Sequence, residues 1–456
     1  MQMTKDMTNG SPFRLILSFS LPVLVGNIFQ QLYNMVDAIV VGRFISTDAL
    51  AAVGSTGAIA FLVLGFVMGL TSGFSVVIAQ RFGAADEDGL RRAVAMSVYI
   101  SLGMTLLLTL ASVLGARPLL DLMDTPGNIY EDAYIYIVII FAGTGASVFY
   151  NLLSGILRAL GDSKTPLYFL IVSSVINVIL DLLFIIVFQS GVAGAAYATV
   201  IAQVVSGLLC LLYMARRFPI LRFQRADWRL DGHLSLVHLK VGLPMAFQFS
   251  IIAIGIIILQ KAINAFGSTT VAAYTAASKV EQLSTQPLNT LGVTMATYCG
   301  QNLGAGKIDR IRTGVRRCFQ MSIVCSLVCG ALVVFGGRFL VGMFISGVEP
   351  EVMAQAQQYL NTIAVFYVFL GMIFVYRNAL QGMGNAIVPT IAGVMELIMR
   401  AVIALALPAY IGYSAICFAS PIAWVGAAVP LCICYFLLMR RLSRQYPGEE
   451  VQNQSV

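Results

Sequence analysis

Twelve predominantly apolar runs follow one another along the 456-residue chain, at about 13–36, 50–80, 92–115, 130–158, 165–189, 192–215, 238–264, 271–299, 314–336, 352–379, 388–410 and 413–439. Each is longer than the roughly 20 residues that carry a helix across a bilayer. Inside a bilayer the backbone must satisfy its own hydrogen bonds, so runs of this length and number can only be helices. The expected fold is therefore an all-α polytopic membrane protein with twelve transmembrane helices. The excess length of several runs implies tilt, kinks or extension beyond the bilayer. With 59% hydrophobic and 11% charged residues, no stretch between the runs is polar and long enough to bury a core of its own.

The net charge of +7 would suit nucleic acid on a soluble chain, but here the basic residues sit in the connections. Arg81, Arg91, Arg92, Arg158, Lys164, Arg216, Arg217, Arg222, Arg225, Arg229, Lys307, Arg310, Arg312, Arg316 and Arg317 follow the even-numbered runs, and Arg440, Arg441 and Arg444 follow the last. The opposite connections hold Arg43, Arg117, Lys279 and Arg338 at most. By the positive-inside rule both termini and the even connections are cytoplasmic. The partner is the lipid bilayer and not nucleic acid. The eight Cys lie almost all in apolar runs without zinc or disulfide spacing, which reads as buried small thiols. His233 and His238 fall in the central polar loop and read as surface residues.

The chain also repeats itself. FSLPVLVGN (19–27) returns as VGLPMAFQF (241–249), ALAAVGSTG (49–57) as TVAAYTAAS (270–278), IAQRFGAAD (78–86) as YCGQNLGAGK (298–307), and ALGDSKTP (159–166) as GMGNAIVP (382–389), always 221 to 223 residues on. Two homologous six-helix lobes are expected, residues 1–215 and 238–456, the second ending in a cytoplasmic tail, with 216–237 as a cytoplasmic linker. Six is an even number, so both lobes insert the same way up, which suits alternating access by two rocking lobes.

Intramembrane charge is rare in such a chain and marks function by default. In the first half it is Asp37 and Asp181. Gln30, Tyr33, Asn34 and Asp37 share one face of the first span, and Asn177 and Asp181, four residues apart, share a face of the fifth. Thr199 of the sixth span adds a hydroxyl. Two carboxylates, an amide oxygen and a hydroxyl are ligands that a sodium ion would accept, or a site where one carboxyl holds a proton. Inward-facing stripes in one six-helix bundle would bring Asp37 and Asp181 together. The second half lacks both acids: their counterparts are Ile258 or Leu259, and Ala404. It carries instead Arg377, Glu396 and Arg400, read as structural charges with Glu396 and Arg400 paired at i, i+4, and Glu281 near Lys279. Cation coupling is thus expected in the first half only. Met35, Met68, Met245, Gln248 and Met295, with Gln30, Tyr33 and Asn34, are candidates for an adaptable substrate cavity. Pro22 predicts a kink in the first span.

No enzyme constellation is visible. LGAGK at 303–307 lacks the spacing of a phosphate loop, and with no ATP-binding module any pumping is driven by an ion gradient. No cofactor is expected beyond the coupling ion, H+ or Na+, and no metal beyond a Na+ at Asp37, Asn177, Asp181 and Thr199.

DAIVVGRFISTDALAAVG (37–54), QRFGAAD (80–86), LRALGDSKTP (157–166), the Asn177–Asp181 pair, GAAYAT (194–199) and GQNLGAGK (300–307) together resemble the multidrug and toxic compound extrusion (MATE) transporters of bacterial type, over essentially the whole chain. The resemblance implies a MATE-like fold with a V-shaped cavity between lobes, and export of small amphipathic, often cationic compounds by antiport against H+ or Na+. It implies a cation site at Asp37, Asn177, Asp181 and Thr199, a bending role for Pro22, and a monomer in the bacterial inner membrane. Members with an acid in the seventh span differ from this chain, which has Gln248 and Ser250 there. The alternative expectation is a flippase or exporter of a lipid-linked saccharide with related two-lobe architecture, which would favour a basic cavity. A scaffold or channel without coupled transport explains neither the paired acids nor the repeat.

Overall fold

A computed structural model describes residues 6–343 and 350–445; the extreme C-terminal tail expected to be cytoplasmic lies outside them. The described chain is helical from end to end. The first half holds α1 (Pro12–Phe44), α2 (Thr47–Gly83), α3 (Glu87–Leu122), α4 (Tyr130–Ala142), α5 (Thr144–Ala159), α6 (Lys164–Leu182) and α7 (Gly191–Arg217). The second holds α8 (Gly232–Asn264), α9 (Ser268–Ser284), α10 (Gln286–Gly304), α11 (Ile308–Gly342), α12 (Pro350–Val365), α13 (Tyr367–Gly382), α14 (Ile387–Ala406), α15 (Pro408–Ile411) and α16 (Tyr413–Gln445). Among the described residues nine single helices are long and apolar enough to cross a membrane. Two bent pairs, α4–α5 at 46° and α12–α13 at 52°, bring the number to as many as eleven. The remaining expected span, the eighth (271–299), is broken at Thr285 into α9 and α10, the first of them 17 residues long. Pro287 in the first turn of α10 explains the break, since it supplies no N–H to a continuing helix.

The repeated motifs fold alike. Both ALGDSKTP and GMGNAIVP make a turn whose glycine, Gly161 or Gly384, sits at positive φ (86° and 82°), the usual residue for ending a helix in the left-handed region. An Asx residue then starts the next helix: Asp162 accepts from Thr165 N at 3.0 Å, and Asn385 from Val388 N at 3.4 Å. The packing also repeats, with α6 on α7 and α5 on α7 in the first half matched by α14 on α16 and α13 on α16 in the second.

Two compact units result. Residues 21–250 form unit 1, and residues 7–20 with the chain from 251 onward form unit 2. The unit boundary therefore lies inside α8, after Ser250, and inside α1, two residues before Pro22, instead of in the linker. Small residues explain why the first half of α8 joins unit 1. Gly73 of α2 lies on Gly242, and Gly69 on the backbone of Met245 and Ala246, so closely that a Cβ on either would run into main chain. α1 stays helical through Pro22, and α8 through Pro244; Pro22, the expected hinge, thus lies beside the unit boundary without breaking the helix.

The segment before each of these two helices is strapped down. In unit 2, Met7 is buried, its N–H donates to Gln301 at 2.9 Å, and Arg310 donates to the carbonyls of Met7 and Gly10 at 3.1 and 2.9 Å. Lys307 Nζ donates to Thr8 O at 3.0 Å and to Asn9 Oδ1 at 3.1 Å. In unit 1 the linker is pinned by Arg91, whose Nε donates to buried Asp227 at 3.2 Å, and by Tyr99, whose hydroxyl donates to Trp228 O at 3.2 Å. Asp231 accepts from Leu234 N at 3.0 Å, and this bond holds its carboxyl below the usual range. His233 is exposed as expected. His238 is not: it is buried in α8 against the Phe74 ring, its Nδ1 2.8 Å from Leu234 O. The helix starts at Gly232, before the apolar run, and carries His238 into the interior.

Candidate functional site

Two serines set the site in unit 1. Ser173 Oγ donates to Ala202 O at 2.9 Å, and Ser206 Oγ of α7 donates to Phe169 O at 3.1 Å. These reciprocal bonds dock α6 on α7, and one turn further along Asn177 Nδ2 donates to Thr199 Oγ1 at 3.5 Å. The Tyr33 hydroxyl of α1 lies against the same Thr199 hydroxyl. One turn beyond Tyr33, the Asp37 carboxyl faces that of Asp181. Three helices thus bring Asp37, Asn177, Asp181 and Thr199 together.

Asn177 and Asp181 are completely buried. Asp37 Oδ1, Asn177 Oδ1 and both Asp181 oxygens have no hydrogen-bond partner among the described residues. Buried oxygens of this kind are costly when orphaned, and two facing carboxylates repel. One proton or one small cation between them relieves both penalties. The flank of the site is dry: Val40 and Val41 of α1, Ala49 of α2, Ile185, and Val192 and Ala195 of α7 form an apolar cluster with Tyr136 of α4 packed on it.

Tyr136 also lies within electrostatic reach of Asp37, Asp181 and Tyr33, and sequence reasoning missed it. The charges of its span, Glu131 and Asp132, lie in the first turn, and its signal is position: its repeat counterpart Tyr359 touches an acid in unit 2. Also unseen in sequence was the π turn at Leu183–Val187, which begins two residues after Asp181. Such turns recur at functional sites.

The cavity candidates divide. Tyr33 belongs with the buried polar cluster, its hydroxyl against Thr199. Gln30 is half-buried, while Asn34, Met35 and Met68 are exposed. Asn34 is thus more open than Tyr33 and Asp37, which are half-buried. Met245, Gln248 and Met295 are buried, packed within their own units, and offer little surface to a ligand in this conformation.

Unit 2 places apolar residues where unit 1 has its acids. Leu259 and Ala404 sit in one buried cluster with Ile263, Ile403, Ile416 and Ala419. Its charges lie elsewhere. Glu396 is held by Arg400 Nη2 at 2.7 Å, as the spacing predicted, and also by Arg377 Nη2 at 3.0 Å. Glu281 accepts from the Tyr359 hydroxyl at 2.8 Å, a partner from another helix in place of the neighbouring Lys279. No group of three His, Cys, Asp or Glu able to hold a metal occurs among the described residues.

Comparison with known proteins extends these observations. The MatE family model matches twice, over residues 22–183 and 244–406, at the spacing of the repeated motifs. "Probable multidrug resistance protein YpnP" of Bacillus subtilis is 30% identical over 383 residues, 83% of this chain and 84% of its own length. "Probable multidrug resistance protein YoeA" of the same organism is 27% identical over 401 residues, 86% of each chain. A solved structure described as the outward-facing conformation of a multidrug resistance MATE family transporter of the MOP superfamily superposes with a TM-score of 0.90 at 25% identity, covering 97% of this chain and 99% of its own.

Proposed function

The chain belongs to the MatE family, a family of multi-pass membrane transporters and not of enzymes, and from the geometry of unit 1 we propose that it is a secondary active multidrug exporter. In this reading it moves small amphipathic, often cationic compounds outward in exchange for H+ or Na+, by alternating access of its two six-helix halves. The observation that carries the proposal is the set of four buried, unpartnered oxygens on Asp37, Asn177 and Asp181. Asp37 and Asp181 hold the coupling cation between them, Asn177 Oδ1 adds a neutral ligand, and Tyr33 and Thr199 orient the amide. Because Asp37 is on α1 and Asp181 on α6, binding or release of the cation changes the force between these two helices. That is how site occupancy reaches α1, whose Pro22 lacks the N–H that would restrain a bend.

The relatives' names support a drug substrate, and the basic connections support an inner-membrane protein with both termini cytoplasmic, acting as a monomer without a cofactor. A lipid-linked saccharide carries phosphate and calls for free basic groups. In unit 1 the site is acidic, and in unit 2 Arg377 and Arg400 both hold Glu396, so the flippase reading is not favoured. The test is efflux of a fluorescent organic cation from proteoliposomes under an imposed sodium gradient and then an imposed pH gradient. Efflux driven by one of them, and lost in Asp37→Asn and Asp181→Asn, supports the reading; gradient-independent leakage sinks it.

A further inference from the structure

Unit 2 has lost the acid pair but keeps intramembrane charge, and the repeat shows what replaced what. Glu396 and Arg400 stand where unit 1 has Ser173 and Asn177, and Tyr359 stands where unit 1 has Tyr136. Around Arg400 the groups form one network. Arg400 Nη2 donates to Glu396 Oε1 at 2.7 Å, and Arg377 Nη2 to Glu396 Oε2 at 3.0 Å, so both oxygens of Glu396 are used. Glu281 of α9, held by Tyr359 at 2.8 Å, lies within electrostatic reach of Arg400. Tyr274 packs edge-to-face on Tyr359, with 5.2 Å between ring centroids, and also lies near both Glu281 and Arg400. α8 leaves room for the guanidinium, since a Cβ on Gly255 would come within 3.1 Å of Arg400 Nη1.

Two arginines stand against two glutamates, so the formal charges of this network balance without any ion. The contrast with unit 1 is direct: there two carboxylates face each other, Asp37 Oδ1 and both Asp181 oxygens have no hydrogen-bond partner, and among the described residues no cationic side chain acts on either. Coulomb interactions inside a membrane protein are strong, and an uncompensated carboxylate there is expensive. A cation is needed in both units, but only in unit 2 does the chain supply it.

We propose that Arg400 is a tethered cation: its guanidinium fills, in unit 2, the role that the exchangeable cation fills at Asp37 and Asp181. Unit 2 then carries its carboxylates permanently compensated and exchanges no ion, which leaves one exchanging site per chain. The proposal deepens the coupling reading and rests on it for the role assigned to unit 1; the test is built so that the two fail separately.

The parent for the test is purified full-length Asp37→Asn/Asp181→Asn, in which unit 1 is silent. Its melting temperature is measured in choline, sodium and guanidinium chloride at equal, low-millimolar concentration, below the range where guanidinium denatures. The parent is expected to show no ion-specific difference. Adding Arg400→Ala is expected to lower the melting temperature and to create an ion-specific response, with guanidinium restoring most of the loss and choline none. Adding Glu281→Gln and Glu396→Gln to that variant is expected to abolish the restoration. Should Arg400→Ala not fold, Arg400→Gln keeps most of the side-chain volume without the charge and carries the same comparison. An Arg400 variant without any ion-specific response overturns the proposal. So does a parent already stabilised by sodium or guanidinium, since that would mean an exchangeable site beside Arg400. Continued gradient-driven efflux by the parent sinks the coupling reading and leaves the tethered cation standing.

Discussion

Leu259 of α8 and Ala404 of α14 lie in the same buried apolar cluster, at the positions that Asp37 and Asp181 hold in unit 1. One architecture has therefore been kept twice and given a pair of facing acids once. Asp37 and Asp181 are not demanded by the fold, because unit 2 packs the same helices around aliphatic side chains.

The first prediction follows. Asp37→Asn and Asp181→Asn should each abolish gradient-driven efflux, while the purified protein keeps its helical content and elutes as a single species. Each substitution removes one of two repelling carboxylates and ends the like-charge contact, so the melting temperature should hold or rise in the absence of the coupling ion. Proteoliposome efflux with a parallel melting curve checks both halves. Efflux at the unsubstituted rate from either variant rules out a joint role for the pair.

The converse change should be severe. Leu259→Asp puts a carboxylate among the aliphatic side chains of Ile263, Ile403, Ala404 and Ile416. A buried charge without compensation costs several kcal/mol in practice, so the variant should lose most of its stability or fail to accumulate. Leu259→Asn, polar but uncharged, should lose roughly 1–3 kcal/mol by leaving an amide unsatisfied. Expression yield and melting temperature rank the two, and equal tolerance of both would refute the dry character of this cluster.

Glu396 offers a cleaner measure of charge closure. Its side chain is 11% exposed and takes one guanidinium on each oxygen. Glu396→Gln leaves Arg377 and Arg400 without their shared acid, and breaking a buried pair from one side typically costs about 3–5 kcal/mol. Arg377→Met should cost less, because Glu396 keeps Arg400. The order of the two melting temperatures is the readout.

How far these residues were legible in sequence depends on what makes each of them visible. Asp37 and Asp181 stand out because charge is rare in an apolar run, and the i, i+4 rule alone brings Asn177 beside Asp181. The two-fold repeat is equally plain, since glycine and proline are kept where φ is positive or a helix starts, as at Gly161 and Gly384. Tyr136 was invisible because an aromatic in a membrane span has many uses, and only packing shows which one applies. The unit boundaries inside α1 and α8 were hidden for a related reason: they depend on backbone approach at Gly69, Gly73 and Gly242. A polar linker looks like a boundary in sequence whether or not its flanking helix crosses to the other unit.

The strap on unit 2 gives a test outside the membrane. Arg310 donates to Met7 O, Gly10 O and Asn302 Oδ1, at 3.1, 2.9 and 3.1 Å, and Asn302 Nδ2 donates to Met7 O as well, at 3.2 Å. Arg310→Ala should release residues 7–10 at a cost of about 1.5–3 kcal/mol, as expected for hydrogen bonds from a charged donor. Hydrogen exchange of the Met7 amide, bonded to Gln301, should then accelerate by roughly 10-fold or more. Exchange in unit 1, on the amides of α6, should stay unchanged. Acceleration in both places would mean general loosening instead of release of the strap.

The repeat also predicts a stabilising substitution. After Gln80 and Gln301 the two lobes make the same turn, and its left-handed position is Gly306 in unit 2 (φ 70°) but Ala85 in unit 1 (φ 53°). A Cβ in that region costs roughly 1–2 kcal/mol, which glycine avoids. Glycine also adds freedom to the unfolded chain, which takes back part of the gain. Ala85→Gly should therefore raise stability by about 0.5–1 kcal/mol and leave efflux unchanged, because Ala85 lies at the α2–α3 turn and touches none of Asp37, Asn177, Asp181 or Thr199. The reverse exchange, Gly306→Ala, should destabilise, and by more than Ala85→Gly stabilises. In unit 2 the same turn presents Lys307 to Thr8 and Asn9, so strain there should also loosen the strap. Melting curves of the two single variants, with exchange at residues 7–10 measured in the second, decide whether the turn is equivalent in both lobes. A loss of stability from Ala85→Gly would show that it is not.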